Sequence, residues 1–522
     1  MNSKLINQIG QLSTHGAVGI ERAKTLPQEE PIATLKTKNL CWKCIGESYL
    51  SDQVKAHGAR GKCSYCEKVR RGYNLVRISK EIEGAFEQHY VRAVAQPSAM
   101  QYAMMMDKES RYEWDPDGEL SDVSIMNAAD IPKAAAADLQ KILAQSHYDF
   151  DAAKCGEESE FSSGVHYELK EVNDAEWRAE WRTFEQSIRT EARFFSRSAT
   201  ALLDSIFEGI ETLLTHDNLP VVVEGGPGTT FSSIYRARCF QSEEELEEAL
   251  KQPELHLGPP PSPLARPGRM NADGISVFYG ANDPSAALAE VRPPVGSRVA
   301  IAHFEIVRPV RLLDLKALNA IGCNGSIFDP GYARRLERAA FLRHLGRLLA
   351  LPVLPNQERF EYLPTQAIAD YLATRAPSPL DGIVFPSVQV AGGTLNIVLF
   401  HGASRVEKVH LPEGTEVSVS CGSYSEDGWE QCYTVWEETP GKTVNAVKPE
   451  IEIYTDPLLF FDERGQEDQV FHNPTLRIDL DSIEIRHVES VNFHAPPHPV
   501  ERYRSEMRHR EIIGAMATLD DF

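Results

Sequence analysis

The sequence lacks an apolar run long enough to cross a membrane. No stretch of its 522 residues approaches the roughly 18 consecutive apolar residues that a spanning helix needs. The opening segment also lacks the apolar centre of a secretory signal peptide. We therefore expect a cytoplasmic protein that does not contact the membrane.

Positively charged residues are also fewer than negatively charged ones. The chain has 54 Lys and Arg against 76 Asp and Glu, a net charge of −22. Such a charge opposes general coating of DNA, RNA or anionic lipid, although a local basic patch can still bind phosphate groups. With 42% apolar residues, the chain has enough hydrophobic material for several folded domains.

Cysteine is scarce, and nine in the whole chain are too few for a disulfide scaffold. Four of them nevertheless lie together, as Cys41-x2-Cys44 and Cys63-x2-Cys66. Two such pairs at this separation are typical of a structural zinc site, in which four thiolates surround the ion and leave no position for substrate. A redox-active pair and unrelated core thiols are the alternatives.

Basic residues are concentrated around the second cysteine pair of this acidic chain. They are Lys55, Arg60, Lys62, Lys68, Arg70 and Arg71. A cluster of this kind can contact a phosphate backbone. The favoured alternative is the solvated face of a zinc ribbon, so nucleic acid stays open as a partner but is not the expected one.

The periodicity of apolar residues divides the chain into four regions. Residues 1–74 comprise a polar lead-in and the four-cysteine knuckle, and residues 75–216 have the spacing of a helical bundle. Residues 217–410 alternate strands with helices, and residues 411–522 indicate a β-rich extension that includes a strand at 451–455 and ends in a helix. We therefore predict a multi-domain α+β protein.

The pattern within residues 217–410 is specific enough to place elements. The expected strands are 275–279, 298–307, 309–314, 382–386 and 394–400, and the expected helices lie near 284–291, 331–350 and 364–376.

Polar residues near the ends of these strands form the candidate site. The turn Gly268-Arg269-Met270-Asn271 precedes a strand that ends at Tyr279, and the helix that follows carries Glu290. Further along, Ser387 follows one expected strand and Asn396 opens the next. Taken singly, each residue has a structural explanation, such as a surface ion pair for Arg269 or a core ring for Tyr279.

Taken together, these residues resemble the RES family, in which a Gly-Arg-x-Asn turn is followed after ten residues by Tyr and after eleven more by Glu. Positions 269, 279 and 290 keep both spacings. The segments around Ser387 and Asn396 resemble the downstream strands of that family, and Tyr235-Arg236 resembles its opening strand. The resemblance covers roughly residues 230–410. The cysteine unit and the helices after it are similar to a HEPN-like module that accompanies some RES domains.

The resemblance implies a bacterial toxin or defence effector that acts on NAD, with a fold related to the ADP-ribosyltransferases and with a separate antitoxin protein as partner. The implied reaction cleaves the nicotinamide–ribose bond by hydrolysis or phosphorolysis. Protein ADP-ribosylation is the alternative enzymatic activity. A non-catalytic zinc-knuckle scaffold or nucleic-acid-binding protein is the alternative from another class, and the oligomeric state, including a homo-oligomer, is left open.

The resemblance also implies roles for individual residues. The implied catalytic residues are Glu290, Ser387 and Tyr279, and the implied substrate-binding residues are Arg269, Tyr279, Arg236 and Asn396. A carboxylate at position 290 would stabilise positive charge at ribose C1′, and the guanidinium of Arg269 would hold the diphosphate. Tyr279 would stack on nicotinamide, and Ser387 would bond to the nicotinamide ribose or orient Glu290. Arg236, Arg238 and Arg266 would add to a positive field for the anionic substrate.

One feature of HEPN ribonucleases is missing. Those enzymes use an Arg followed four to six residues later by His, and the best match, Arg193 to Ser198, has no histidine within reach. We therefore expect the helical region to be a recognition or regulatory module.

Overall fold

The computed structural model describes residues 30–107, 110–156, 158–191, 195–351, 353, 357–376, 378–390, 392–425, 428–440, 473–492 and 495–503. They form two compact units. One contains the described residues as far as Val221 together with Leu315–Leu351, and the other contains Val222–Asp314 and the described residues from 353 onward. The expected strand at 451–455, the final helix and most of the lead-in lie outside the described residues.

The helices are numbered in chain order. They are α1 (Ile32–Leu35), α2 (Ser48–His57), α3 (Leu75–His89), α4 (Ala99–Met106), α5 (Ser121–Ala129), α6 (Lys133–Ser146), α7 (Phe150–Lys154), α8 (Ala175–Thr190), α9 (Arg197–Phe207), α10 (Glu243–Lys251), α11 (Pro253–His256), α12 (Pro284–Glu290), α13 (Leu315–Asn319), α14 (Tyr332–Ala350) and α15 (Glu358–Thr374). None of the helices in the described ranges is both long and apolar enough to cross a membrane.

The strands are numbered in the same way. They are β1 (Asn39–Cys41), β2 (Ala59–Lys62), β3 (Val69–Asn74), β4 (Tyr90–Arg92), β5 (Glu119–Leu120), β6 (His166–Leu169), β7 (Val222–Gly225), β8 (Ser233–Phe240), β9 (Phe278–Ala281), β10 (Arg298–Ile306), β11 (Val310–Asp314), β12 (Gly382–Pro386), β13 (Leu395–Leu399), β14 (Glu416–Ser420), β15 (Ser423–Ser425), β16 (Gly428–Glu430), β17 (Thr434–Glu438) and β18 (Leu476–His487).

In the first unit, the cysteine segment and the helices after it share one hydrophobic core. Strands β1, β3 and β2 form a small antiparallel sheet, and Leu40 and Tyr73 from this sheet pack in the same core as Ile78 of α3 and Leu139 of α6. Phe328 belongs to this core as well. The four-cysteine segment is therefore packed as part of a larger helical unit, and residues 315–351 belong to that unit although the sequence assigned them to region 217–410.

The helical periodicity read from the sequence is confirmed in α8. Trp177, Trp181, Phe184 and Ile188 recur every three or four residues and are buried. The rings of Trp177 and Phe341 are stacked with their centroids 5.9 Å apart, so α14 covers the apolar face of α8.

The second unit is built on an eight-stranded mixed sheet with the order β18-β10-β8-β9-β13-β12-β11-β7. Neighbouring strands are antiparallel except β11 and β12, which are parallel. All five strands expected in region 217–410 are present within a few residues of their predicted bounds. The long strand β18 comes from the carboxyl-terminal extension and pairs with β10 at one edge.

Small side chains let α12 approach one face of this sheet closely. Ala286 and Ala287 of the helix pack against Ala237 of β8 and Ala281 of β9. The opposite face is covered by a larger core that contains Phe278 and Phe304, whose ring centroids lie 4.9 Å apart. This packing fixes the carboxyl end of α12, where Glu290 stands, relative to the central strands.

Candidate active site

Two neighbouring strands hold the carboxylate of Glu290. Its Oε1 accepts a hydrogen bond from Ser387 Oγ at 2.8 Å and another from Asn396 Nδ2 at 2.7 Å. Ser387 directly follows β12 and Asn396 lies in β13. In the described part of the chain no donor contacts Oε2, and Glu290 is exposed. One carboxylate oxygen is therefore fixed by the protein while the other is accessible.

Local capping and pairing place these three residues together. Asp283 caps α12 by accepting from the backbone N–H groups of Ser285 at 2.8 Å and Ala286 at 3.2 Å. The pairing of β12 with β13 continues just beyond the two strands, because Ser387 N donates to Thr394 O at 2.9 Å. The carboxyl end of the helix and the end of the hairpin thus meet at a defined point.

Asn396 is a buried polar residue of the second unit. It is 6% exposed, and its Oδ1 is buried without a hydrogen-bond partner among the described residues. A buried acceptor left without a donor costs about 1–3 kcal/mol. Its Nδ2 donates to Glu290 Oε1, so the residue that bears this cost also orients the carboxylate.

The hydroxyl of Tyr279 fixes the turn that carries Arg269. It donates to Asn271 Oδ1 at 2.8 Å and accepts from the Met270 N–H at 2.9 Å. The side chain of Asn271, which is 3% exposed, also donates to the backbone carbonyls of Arg266, Ala272 and Ile275. The hydroxyl of Tyr279 therefore has a positioning role, which leaves only its ring for contact with a ligand.

Gly268 is required at this turn for lack of space. A Cβ at position 268 would lie 2.7 Å from both Asn271 Oδ1 and the Tyr279 hydroxyl. Real Cβ atoms do not approach other atoms so closely, which explains the glycine before Arg269.

Helix α15 supports the same turn from its other side. Thr365 Oγ1 donates to Arg269 O at 2.5 Å, and Gln366 Nε2 donates to Gly268 O at 2.8 Å. These residues were not predicted from the sequence, and neither was Tyr362, whose nearby hydroxyl acts to raise the pKa of Arg269. Polar residues on a helix have the same sequence pattern whether they face solvent or a site. The sequence therefore did not indicate that these residues support the turn.

Burial governs the ionisation of the groups around this turn. It lowers the pKa of Arg269, an effect opposed by the nearby Tyr362, Tyr279 and Glu290. Burial also raises the pKa of Tyr279 to about 12, so its hydroxyl keeps its proton at neutral pH. A protonated hydroxyl agrees with its donation to Asn271 Oδ1.

Arg236 connects the site to a neighbouring cavity. It lies in β8, its Nη1 is 3.4 Å from Tyr279 O, and its guanidinium is 4.9 Å from the centre of the Phe278 ring. Burial, together with the charge of Arg238, lowers the pKa of Arg236 to about 10. Arg236, Arg238, Arg266 and Tyr279 line a cavity of about 280 Å³, called here the arginine cavity. Glu290, Ser387 and Asn396 are not part of its lining.

The four cysteines of the first unit come together as the sequence predicted. The Sγ atoms of Cys41 and Cys44 are 3.7 Å apart, Cys41 and Cys66 are 3.6 Å apart, and Cys44 and Cys63 are 3.9 Å apart. A tetrahedral site with Zn–S bonds of about 2.3 Å has S–S edges of about 3.8 Å, so this cluster can hold a metal ion. A hydrogen bond from the Lys68 backbone lowers the pKa of Cys66 to about 7, whereas burial raises the pKa of Cys44.

Four of the six basic residues near the cysteines lie in β2 or β3, whereas Lys55 lies in α2 and Lys68 lies just before β3. Arg60 stands directly opposite Arg71, and Lys62 approaches Glu67 at 3.6 Å. Arg71 donates to the backbone carbonyls of Lys55 and Ala56. These contacts do not distinguish a nucleic-acid surface from a solvated face, and the nucleic-acid partner stays a prediction.

The candidate site falls within a recognisable sequence family. Residues 234–419, a little over a third of the chain, match the family model described as the RES domain. No curated protein and no solved structure matches the chain. The matched range contains all six residues predicted for the site: Arg236, Arg269, Tyr279, Glu290, Ser387 and Asn396. The match supports the RES family for this part of the chain.

Proposed function

We propose that the protein consumes NAD by cleaving its nicotinamide–ribose bond, through hydrolysis or phosphorolysis, and acts as a toxin or defence effector countered by a separate antitoxin. The observation that carries this proposal is the Glu290 carboxylate, which Ser387 and Asn396 hold by one oxygen. Its location within the RES match, a family of NAD-related toxins, supports the same activity.

The geometry suits the charge that develops during cleavage. Breaking the bond between ribose C1′ and nicotinamide passes through an oxocarbenium-like transition state. The open Oε2 of Glu290 would face the developing positive charge, while the bonds from Ser387 and Asn396 keep the carboxylate from turning away. A group oriented before the reaction needs no reorganisation in the transition state, which is the main advantage of such electrostatic stabilisation.

The other residues bind and orient the substrate in this proposal. Arg269 would hold the diphosphate with its planar guanidinium, on a turn fixed by the hydroxyl of Tyr279. The Tyr279 ring would stack on nicotinamide. Ser387 would act through Glu290, since its hydroxyl donates to that carboxylate.

We also propose that Cys41, Cys44, Cys63 and Cys66 hold one structural zinc ion. Four thiolates fill a tetrahedral shell, so the ion would have no open position for substrate or water. When bound, it would stabilise the fold of the first unit and take no part in NAD cleavage.

Arg269→Lys should weaken both NAD binding and turnover. Lysine keeps the positive charge but loses the planar pair of donors that matches a diphosphate. We expect the NAD Kd to rise and kcat/KM to fall by about tenfold each, the size of one or two charge-assisted hydrogen bonds. Calorimetric NAD titration and steady-state kinetics measure the two effects. A change in kcat with an unaltered Kd would contradict the binding role.

Tyr279→Phe should impair the enzyme by loosening the turn. The ring stays, but Asn271 Oδ1 and the Met270 N–H lose their partner, which costs about 1–3 kcal/mol when a buried group is left unpaired. We expect a lower Tm and a several-fold loss of kcat/KM, with a larger loss in Tyr279→Ala, which also removes the ring. Wild-type Tm and kinetics in Tyr279→Phe would remove the positioning role.

Identification of the product tests the proposed reaction and its alternative. Hydrolysis yields free ADP-ribose, and phosphorolysis yields ADP-ribose 1″-phosphate only when phosphate is present. Protein ADP-ribosylation instead transfers label from adenine-labelled NAD to a protein. Mass spectrometry of the small molecules and gel analysis of labelled protein separate these outcomes, and label on protein without free ADP-ribose would favour the alternative.

A further inference from the structure

The arginine cavity has three guanidinium groups and no acidic side chain in its wall. Its lining contains Arg236, Arg238 and Arg266, and no Asp or Glu lines it. Within the described residues, none of the three forms an ion pair with a carboxylate. Arg236 and Arg238 are two residues apart in β8, so their side chains leave the same face of the sheet.

The existing contacts of these arginines leave much of their donor capacity unused. Arg236 makes one long contact to Tyr279 O, and Arg238 donates to His256 O. Arg266 is exposed, and its backbone carbonyl is held by Asn271. Each guanidinium has five N–H donors, so the arginines of the cavity have several donors available for an anionic ligand.

Apart from Asn271 and Tyr279, the rest of the wall is apolar. It includes Pro260, Leu264, Ala265, Ile275 and Val277, from the loop before β9 and the residues that lead into that strand. A flat heterocycle can pack against such a surface while charged groups on the same ligand reach the arginines. The volume of about 280 Å³ is at the lower end for ligand pockets, so it suits half of a dinucleotide better than the whole.

Charge counting favours a ligand with more negative charge than NAD. The diphosphate of NAD carries one negative charge on each phosphorus, and Arg269 with Arg236 can balance both. Arg238 and Arg266 then remain without an anionic partner among the described residues. A phosphate monoester adds about 1.5 to 2 negative charges at neutral pH, which matches two further guanidinium groups.

We propose that the arginine cavity binds the adenosine end of the substrate and that Arg238 and Arg266 recognise a 2′-phosphate, so that the enzyme prefers NADP to NAD. This inference rests on the proposed function. Arginine is the residue that accommodates the ribose 2′-phosphate in other dinucleotide sites, because its fork pairs with two phosphate oxygens. Tyr279, which borders the cavity and holds the Arg269 turn, joins this end of the substrate to the reacting end.

The kinetic test compares the two dinucleotides on the full chain. We expect kcat/KM for nicotinamide release from NADP to exceed that from NAD by about tenfold or more, the value of a charge-assisted pair. The double variant Arg238→Gln/Arg266→Gln should lower kcat/KM for NADP by about tenfold to a hundredfold and for NAD by only about threefold. Arg375→Gln, which replaces an exposed arginine at the end of α15, is the matched control and should change neither.

A binding measurement keeps this inference separate from the proposed reaction. Adenosine 2′,5′-bisphosphate should bind wild-type protein more tightly than adenosine 3′,5′-bisphosphate or ADP in calorimetry, and the double variant should abolish the difference. Equal affinity for the three nucleotides, or equal loss of NAD and NADP turnover in the double variant, would overturn the 2′-phosphate site. If neither dinucleotide is cleaved, the proposed function fails, and the calorimetry still decides the inference.

Discussion

Glu290→Gln should reduce nicotinamide release from NAD by about a hundredfold or more, as the loss of a single transition-state electrostatic group does. Glutamine keeps the size of the side chain and can still accept from Ser387 and Asn396, so the local structure should survive. The negative charge, which the proposed mechanism places opposite ribose C1′, is the only feature removed. The NAD Kd should change little, because the charge acts chiefly in the transition state.

A matched control for this variant is available in the same unit. Glu244, an exposed residue in the first turn of α10, can be changed to Gln without altering the site. Both variants should fold as judged by circular dichroism and Tm, and only Glu290→Gln should lose activity. A folded Glu290→Gln protein that cleaves NAD at the wild-type rate would show that this carboxylate is not catalytic.

Replacement of two ligands of the cysteine cluster should destabilise the whole first unit. In Cys41→Ser/Cys63→Ser each Cys-x2-Cys pair loses one thiolate, so the tetrahedral shell cannot form. Structural zinc contributes about 10–16 kcal/mol of apparent binding free energy in small zinc domains at neutral pH. Leu40 and Tyr73 share a core with α3 and α6, so loosening of the ribbon should lower the stability of these helices too.

Elemental analysis and thermal unfolding measure this effect. Wild-type protein should contain about one zinc per chain, as expected when four thiolates close one tetrahedral site, and the double variant should lose it and unfold at a lower temperature. Cys155→Ser/Cys432→Ser, which changes two exposed cysteines outside the cluster, should keep both the metal and the Tm. A metal-free wild type with full stability would remove the zinc proposal.

Much of the secondary structure in the second unit could be predicted because its signals are local. Strand β10 was expected at 298–307 and lies at Arg298–Ile306, and α12 was expected at 284–291 and lies at Pro284–Glu290. Continuous apolar runs mark buried strands, and Asp283-Pro284 marks a helix start, so the information lies within each segment.

The arrangement of the site depends on contacts that no segment reveals alone. The bond from Asn396 to Glu290 exists because β13 lies between β9 and β12, an order set by the whole sheet. Their positions near the ends of predicted elements made both residues candidates, and the resemblance to a family implied that they act in one site. It offered no signal for the support of the Arg269 turn by Thr365 and Gln366, because helix α15 is distant in sequence.

The division of the chain into two units could not be predicted from local sequence patterns either. Residues 315–351 follow β11 directly and have the periodicity of ordinary helices, yet they pack with the amino-terminal unit. Phe328 belongs to the same hydrophobic core as Leu139, although the two residues are nearly two hundred positions apart in sequence. One practical consequence is that a fragment starting at residue 217 would separate 315–351 from its packing partners, so activity should be measured on the full chain.

Release of nicotinamide from NAD by the purified, folded, full-length chain tests the central claim most directly. The protein should be incubated with NAD in phosphate buffer and, separately, in buffer without phosphate, and nicotinamide should be measured by chromatography over time. We predict catalytic release, with many nicotinamide molecules formed per chain in at least one of the two buffers. A folded chain that releases no nicotinamide from NAD in either buffer would contradict it.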